Sequence, residues 1–348
     1  MDSVLLIGGA GFLGLHLIEQ FSKLDPQPKI NVFDIRPLPD KLATYFSFDP
    51  SSIGQYTGDL TSEDDLKRVF EITKPDVVVH SASPIHGMAQ AIYEKVNVEG
   101  TKTILKVCQD LKIKALVYTS SAGVIFNGED IHNADETWPI PEVPLDGYND
   151  TKARAETMVL GANNFTGLKT VALRPAGIFG PGDRQLVPGL RQVAKLGQSK
   201  FQIGDNNNLF DWTYAGNVAD AHILAAQKLL SPDPEVVKAV GGQTFFVTND
   251  APTYFWTLAR TVWKSDGHID NYNIVLSRPV AILAGYLSQF FSKLANKEPG
   301  LTPFRVKIVC AFRYHNIAKA KRLLGYKPQV GLEEGIQKTL EWMDETKQ

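Results

Sequence analysis

Cysteine is nearly absent: Cys108 and Cys310 are the only two in 348 residues, and each sits inside an apolar pattern. That scarcity argues for two buried thiols in a reducing compartment rather than a disulfide or a metal site, and no metal is expected. An excess of charge of either sign is also missing. Lys and Arg total 36 against 38 for Asp and Glu, a net charge of −2, and no dense basic run occurs. Nucleic acid is therefore not an expected partner. Long apolar runs are lacking too. "VLLIGGAGFLGLHL" near the N-terminus has no cationic segment before it and no cleavage site after it, so it reads as strand, turn and helix rather than a signal peptide. In "RPVAILAGYLSQFFSKL", residues 278–294, the unbroken apolar part is about half of the roughly 20 residues a membrane span requires. No transmembrane helix is expected, and no internal repeat or low-complexity segment occurs.

What the chain does contain is alternation. "SVLLIG", "KINVFD", "GQYTGDL" (a strand ending at Asp59), "PDVVVHSAS", "KALVYTSS" and "KTVALRPAG" read as strands. Helical patterns fall between them at 12–23, at "SEDDLKRVFEIT" with Ser62 as its cap, at 89–110 and at 148–160. Near-continuous Val/Ile/Leu strands separated by helices indicate a parallel sheet covered on both faces. The fold class is α/β: a Rossmann-type doubly wound parallel sheet with a smaller, interleaved C-terminal substrate-binding lobe. The nucleotide domain takes residues 1–175 with returning segments near 210–250, where "GQTFFVT" suits the far edge of the sheet. Residues 176–348 mainly form the lobe.

Between the first strand and the first helix lies Gly8-Gly-Ala-Gly11-Phe12-Leu13-Gly14. Glycine here permits a tight turn and lets backbone N–H groups approach a pyrophosphate at the helix start. Asp34 closes the second strand 20 positions after Gly14, where a carboxylate would accept the adenosine ribose hydroxyls. Its charge favours NAD over NADP. Arg36, two residues on, could pair with a 2′-phosphate, so NADP stays open. Asp59 and Leu60 suit the adenine edge, although Asp59 also reads as a simple helix-cap acid.

Ser120 and Ser121 of "YTSSAGV" sit at the carboxyl edge of the sheet, where open α/β folds place their ligands. Tyr148 and Lys152 follow, one helical turn apart on one face. A phenol with a reference pKa near 10 is a poor base at neutral pH, but an adjacent ammonium stabilises the phenolate. On this reading Ser121 holds the substrate oxygen, Tyr148 takes the alcohol proton, and Lys152 supports Tyr148 and the nicotinamide ribose. Asn97 of "VNVEGTK" either bends its helix to hold a proton-relay water or is merely exposed.

These motifs together, with "NVEGT" and "RPAGIFGPGD", resemble the extended short-chain dehydrogenase/reductase family and, within it, the 3β-hydroxysteroid dehydrogenase branch. "HNADETWPIPEVPLDGYNDTKARAE" and "PGLTPFRVKIVCAFRYHNIAKAKRLLGY" resemble the fungal members that act on sterol 4α-carboxylates with decarboxylation. The resemblance runs essentially end to end. It implies oxidation of the 3β-hydroxyl of a 4α-carboxysterol in ergosterol C-4 demethylation. It also implies Pro175 and Ile178 against the nicotinamide, and Ala82 and Ser83 along the cofactor. Implied partners are a C-4 sterol oxidase and a 3-keto sterol reductase in a complex at the endoplasmic reticulum membrane, with peripheral attachment on the cytosolic side. Homodimerisation through 89–110 and 148–160 is common in the family. His86 and Arg184 are candidates, by loop position alone, for the sterol carboxylate.

Over 280–294, Val280, Leu283, Leu287, Phe290 or Phe291, and Leu294 follow helical spacing, with Ser288 and Ser292 opposite. Such a helix either packs on the core or dips into a lipid headgroup layer. Two other functions compete on the same evidence. One is a nucleotide-sugar epimerase or dehydratase, which would need diphosphate-binding cations in the C-terminal lobe. The other is a non-catalytic dinucleotide sensor, for which the Tyr148/Lys152 pair would be superfluous.

Overall fold

A computed structural model describes residues 1–39, 44–269, 272–295 and 300–346. Seven strands form the main sheet: β1 (Ser3–Ile7), β2 (Lys29–Asp34), β3 (Gly54–Thr57), β4 (Val77–His80), β5 (Ala115–Thr119), β6 (Lys169–Pro175) and β7 (Gln243–Val247). Their order is β7-β6-β5-β4-β1-β2-β3, and every neighbouring pair is parallel. β1, β4 and β5 are buried at every position, which explains why they read as unbroken apolar runs rather than alternating ones. Successive side chains serve opposite faces. Val4 and Leu6 join the core that includes Leu17 and Val218, while Leu5 and Ile7 join the one that includes Leu66 and Ile104. The strand order reverses between β1 and β4, so a crevice opens at their carboxyl ends.

The helix Glu63–Thr73 starts as its sequence suggests, with the Ser62 hydroxyl accepting from the Asp65 N–H at 3.2 Å. β3 stops at Thr57, two residues short of Asp59. The stretch read as one helix over 89–110 is three pieces: α-helical Gln90–Tyr93, π-helical Glu94–Gly100 and α-helical Thr101–Asp110. The wide π turn contains Asn97, and insertions of this kind gather at functional sites.

A second, four-stranded sheet has the order Thr253–Tyr254, Leu209–Phe210, Arg313–His315, Ile131–Ala134. The last of these precedes β6 in the chain, so the two sheets interleave more deeply than composition suggests.

The helix Arg278–Leu294 packs through its small face. Ala281 and Gly285 are buried, and a Cβ on Gly285 would lie 2.8 Å from the Pro303 nitrogen on the helix Pro303–Cys310. The apolar face points outward instead: Leu283, Tyr286, Phe290 and Phe291 are each 60–62% exposed and Leu294 is 71% exposed. The core-packing alternative for this stretch is therefore overturned, because the residues that fit against the neighbouring helix are the small ones. Among the described residues no helix is long and apolar enough to cross a membrane. Both thiols are free; Cys108 is buried and Cys310 only partly so.

Candidate active site

The turn after β1 is built to exclude side chains. Gly8 has φ +88°, and a Cβ there would lie 2.5 Å from the Ala82 nitrogen. A Cβ at Gly14 would meet the Gly9 and Gly8 carbonyl oxygens at 2.4 and 2.5 Å. Only glycine lets the loop, the helix Phe12–Ser22 and the Ala82 segment approach this closely. Gly11 caps that helix without a side-chain bond, so its first-turn N–H groups, including those of Phe12 and Leu13, have no side-chain cap. The Asp34 carboxylate accepts from the Ala10 N–H at 3.1 Å and the Arg36 N–H at 3.3 Å, which ties the end of β2 to the turn. This cradle fits a dinucleotide: donors at a positive helix start for a pyrophosphate, and a carboxylate beside it for a ribose diol.

Asp59 is engaged as a local acceptor. It takes the Thr61 N–H at 2.9 Å and the Lys95 ammonium at 2.8 Å, and the Lys95 contact above all pulls its carboxyl down to about 2. Ser62, not Asp59, caps the following helix. Leu60 is buried in the core beneath the π turn. Pro175 ends β6, and Ile178–Phe179 pairs with Thr213–Tyr214, so both Pro175 and Ile178 lie at the carboxyl edge of the sheet.

The residues that close β5 are fastened to the helix Gly147–Gly161 at two successive positions, with a third alongside. The Lys152 ammonium donates to the Thr119 carbonyl at 2.6 Å, the Ser120 hydroxyl donates to Glu156 at 2.6 Å, and the Ser121 side chain stands beside the Tyr148 phenol while accepting the Gly123 N–H at 3.0 Å. Tyr148, Lys152 and Glu156 are spaced four apart, one per turn on one face. Glu156 is 1% exposed and grips Arg174 through two bonds, of 2.9 and 2.5 Å. Ser83 also stands beside the phenol, and its hydroxyl donates to the Asn97 Oδ1 at 3.0 Å. The Asn97 amide in turn donates to Thr151 at 3.0 Å. Asn97 is 1% exposed, which overturns the reading of it as a solvated surface residue. The rings of His86 and Tyr93 flank Tyr148 at 3.9 and 5.8 Å between centroids. Arg184 is exposed on its loop.

One expectation needs correcting. Lys152 is not what sets the Tyr148 phenol in this arrangement. Its ammonium is spent on the Thr119 carbonyl and the face of the Tyr118 ring, 4.3 Å away. Burial dominates at Tyr148 and pushes the phenol up to about 12, with Ser83 and Ser121 pulling the other way. Burial also lowers Lys152 to about 7, opposed by the charge of Glu156. Glu156, Arg174 and Thr151 escaped the reading of the sequence. The continued four-residue spacing past Lys152 was the available signal for Glu156, whereas Arg174 lies on a distant strand.

The Lys152 shift fixes the sign of a stability effect. Above about pH 10.5, the lysine's ordinary value, it is neutral in folded and unfolded chains alike. As pH falls from there towards the folded value of about 7, only the unfolded chain gains the proton, so stability is lost; below 7 the loss is complete. Lys152→Met in the dinucleotide-free protein should therefore melt above the parent at pH 6, with the gap closing steadily towards pH 10. Thermal melts across that range check this, and a gap independent of pH would contradict it.

The model of the 3-beta hydroxysteroid dehydrogenase/isomerase family matches residues 5–278. The chain is 69% identical over 346 residues to sterol-4-alpha-carboxylate 3-dehydrogenase, decarboxylating, of Saccharomyces cerevisiae, covering 99% of each chain. It is 68% identical over 346 residues to the protein of the same name from Candida albicans, covering 99% of this chain and 98% of that one. Among solved structures it is similar to dTDP-glucose 4,6-dehydratase from Bacillus anthracis in complex with NAD, with a TM-score of 0.73 and 19% identity over 100% of this chain and 98% of that one. At that identity the likeness speaks to the Rossmann-type fold alone. The family match and the end-to-end identity carry more: this chain belongs to the 3-beta hydroxysteroid dehydrogenase/isomerase family.

Proposed function

We propose that this protein is an NAD-dependent oxidoreductase that oxidises the 3β-hydroxyl of a 4α-carboxysterol to the ketone with loss of CO2, in sterol C-4 demethylation. The observation that carries this is the end-to-end identity to proteins named for that reaction, in a chain whose Tyr148 phenol stands beside Ser121 and one turn from a buried Lys152. The Gly8–Gly14 turn would hold the pyrophosphate, with Asp34 on the adenosine ribose and Asp59 and Leu60 towards the adenine. Ala82, Ser83, Pro175 and Ile178 would line the nicotinamide half. The Asp34 carboxylate repels a 2′-phosphate, which favours NAD over NADP even with Arg36 nearby.

Bound NAD supplies the hydride acceptor. Ser121 holds the alcohol oxygen, and Tyr148 takes its proton as the carbon–hydrogen bond breaks. The accepting form is the Tyr148 phenolate, which must be present before the alcohol proton is taken and passes that proton on to solvent to be restored, and Asn97 braces Ser83 and Thr151 around it. The product is a β-keto acid. Its C4–carboxylate bond breaks, CO2 leaves, the electron pair stays as an enolate across C3 and C4, and a proton returns to C4. The carbonyl is electron sink enough, so the site needs only to perform the oxidation.

The exposed apolar face of Arg278–Leu294 supports peripheral attachment to a membrane surface, suited to a sterol substrate, which we place at the cytosolic side of the endoplasmic reticulum. The reaction calls for an oxidase that makes the 4-carboxylate and a reductase that consumes the 3-ketone, and we propose these as neighbours in a membrane complex.

With a 4α-carboxysterol and NAD, the protein should yield NADH and CO2 in equal amounts. Tyr148→Phe should lower kcat by roughly 1000-fold, within the range for loss of a general base, while dinucleotide affinity measured by calorimetry holds. Normal turnover of that variant would refute the assigned role. In flotation with phospholipid vesicles, the double variant Phe290→Ser/Phe291→Ser should leave the lipid fraction and keep its dinucleotide affinity; unchanged flotation would count against the attachment.

A further inference from the structure

Arg313 is a partly buried cation that has no carboxylate partner among the described residues. It opens the short strand Arg313–His315, paired with Phe210 on one side and Ile131 on the other. Its guanidinium carbon lies 4.1 Å from the centre of the Phe126 ring and 5.1 Å from that of Phe210. Among the described residues it makes no ion pair, and its Nε is buried with no hydrogen-bond partner. A charge taken from water is retained only when something compensates it. Two aromatic faces compensate in part. Burial draws the guanidinium down to about 10, still charged at neutral pH, and Asp146 is the acid whose field opposes the shift. The Asp146 carboxylate, however, is committed to capping the helix that carries Tyr148, accepting the Asn149 N–H at 2.8 Å.

The location gives this vacancy of charge a meaning. The field of Arg313 reaches His86, whose ring lies tilted against that of Tyr148 with centroids 3.9 Å apart. Phe210, against which Arg313 leans, is the ring that a Cβ on Gly177 would meet at 2.9 Å, between Pro175 and Ile178. The guanidinium thus stands on the lobe side of the crevice, between the Tyr148 helix start and the carboxyl end of β6. In a 4α-carboxysterol the acid is on the carbon next to the one oxidised, so a cation close to the start of the Tyr148 helix is suited to receive it. An aromatic-backed, planar fork is also the donor geometry that carboxylates take best.

We propose that Arg313 receives the substrate's 4α-carboxylate and thereby selects an acidic sterol over a neutral one; the assignment rests on the sterol dehydrogenase reading above. It displaces the two loop candidates. Arg184 is solvent-exposed, and the His86 ring is occupied with Tyr148.

The test compares a 4α-carboxysterol with its 4α-methyl counterpart of the same skeleton, both carrying the 3β-hydroxyl. For the parent, Arg313→Met, Arg313→Lys and Arg184→Ala, kcat/KM is measured on each sterol and NAD affinity by calorimetry, which reports folding. Arg313→Met should lose about 100-fold or more on the acid, mainly in KM, a loss of the size seen when a charged partner is removed. It should change by less than threefold on the methyl sterol and keep its NAD affinity. Arg313→Lys should recover part of the loss, and Arg184→Ala should match the parent. Equal losses on both sterols would reduce Arg313 to a packing role and overturn the proposal, as would a full preference for the acid in Arg313→Met. If the parent itself oxidised neither sterol, the underlying functional reading would fall, and this assignment with it.

Discussion

Two consecutive residues at the end of β5 hold two residues on successive turns of one helix, and the rest of the site depends on that clamp. Thr119 takes the Lys152 ammonium, Ser120 reaches Glu156, and Ser121 comes next, beside Tyr148. Each bond fixes a side chain whose own freedom would otherwise be considerable, and Lys152 alone carries about 2 kcal/mol of rotamer entropy. Glu156 anchors the lower end through its two bonds to Arg174. That buried pair contributes little net stability by itself, but breaking it by removing one partner costs about 3–5 kcal/mol. Strand and helix are thereby locked in one register, and the phenol stands at the sheet's carboxyl edge beside the turn that fits a dinucleotide.

The same burial that positions these groups works against their charged forms. The phenol is pushed up to about 12 and the ammonium down to about 7, each by loss of water before any neighbour acts. In that condition the phenol is protonated at neutral pH and the lysine stands close to its midpoint. On the function proposed above, a positive nicotinamide ring bound beside the phenol would lower it. Arg313 follows a related logic on the second sheet, where a cation is kept charged against aromatic rings and has no carboxylate of its own among the described residues.

Much of this was legible in the sequence because it depends on short-range spacing. Unbroken Val/Ile/Leu runs gave the parallel sheet, the glycine triplet and Asp34 gave the turn, and Tyr148 with Lys152 gave one helical face. What stayed hidden depends on distant segments meeting. Arg174 reaches Glu156 from another strand, and Ile131–Ala134 crosses into the second sheet beside Arg313. The orientation of Arg278–Leu294 also had to be seen. Periodicity marks two faces but does not say which one packs, and here the small face won because Gly285 allows a backbone approach that Leu283 or Phe290 would block. The ammonium's choice of the Thr119 carbonyl was likewise invisible, since spacing gives proximity and not the competing acceptor.

The most direct test of the account is the ionisation of Tyr148 itself, followed as the ultraviolet difference between the parent and Tyr148→Phe over a pH titration, with and without saturating NAD. Without NAD the phenol should remain protonated to about pH 11, as its burial requires, and with NAD its midpoint should fall by about two units or more. The same midpoint in both titrations would mean that Tyr148 is not tuned by the bound cofactor, and would contradict its role as the proton acceptor.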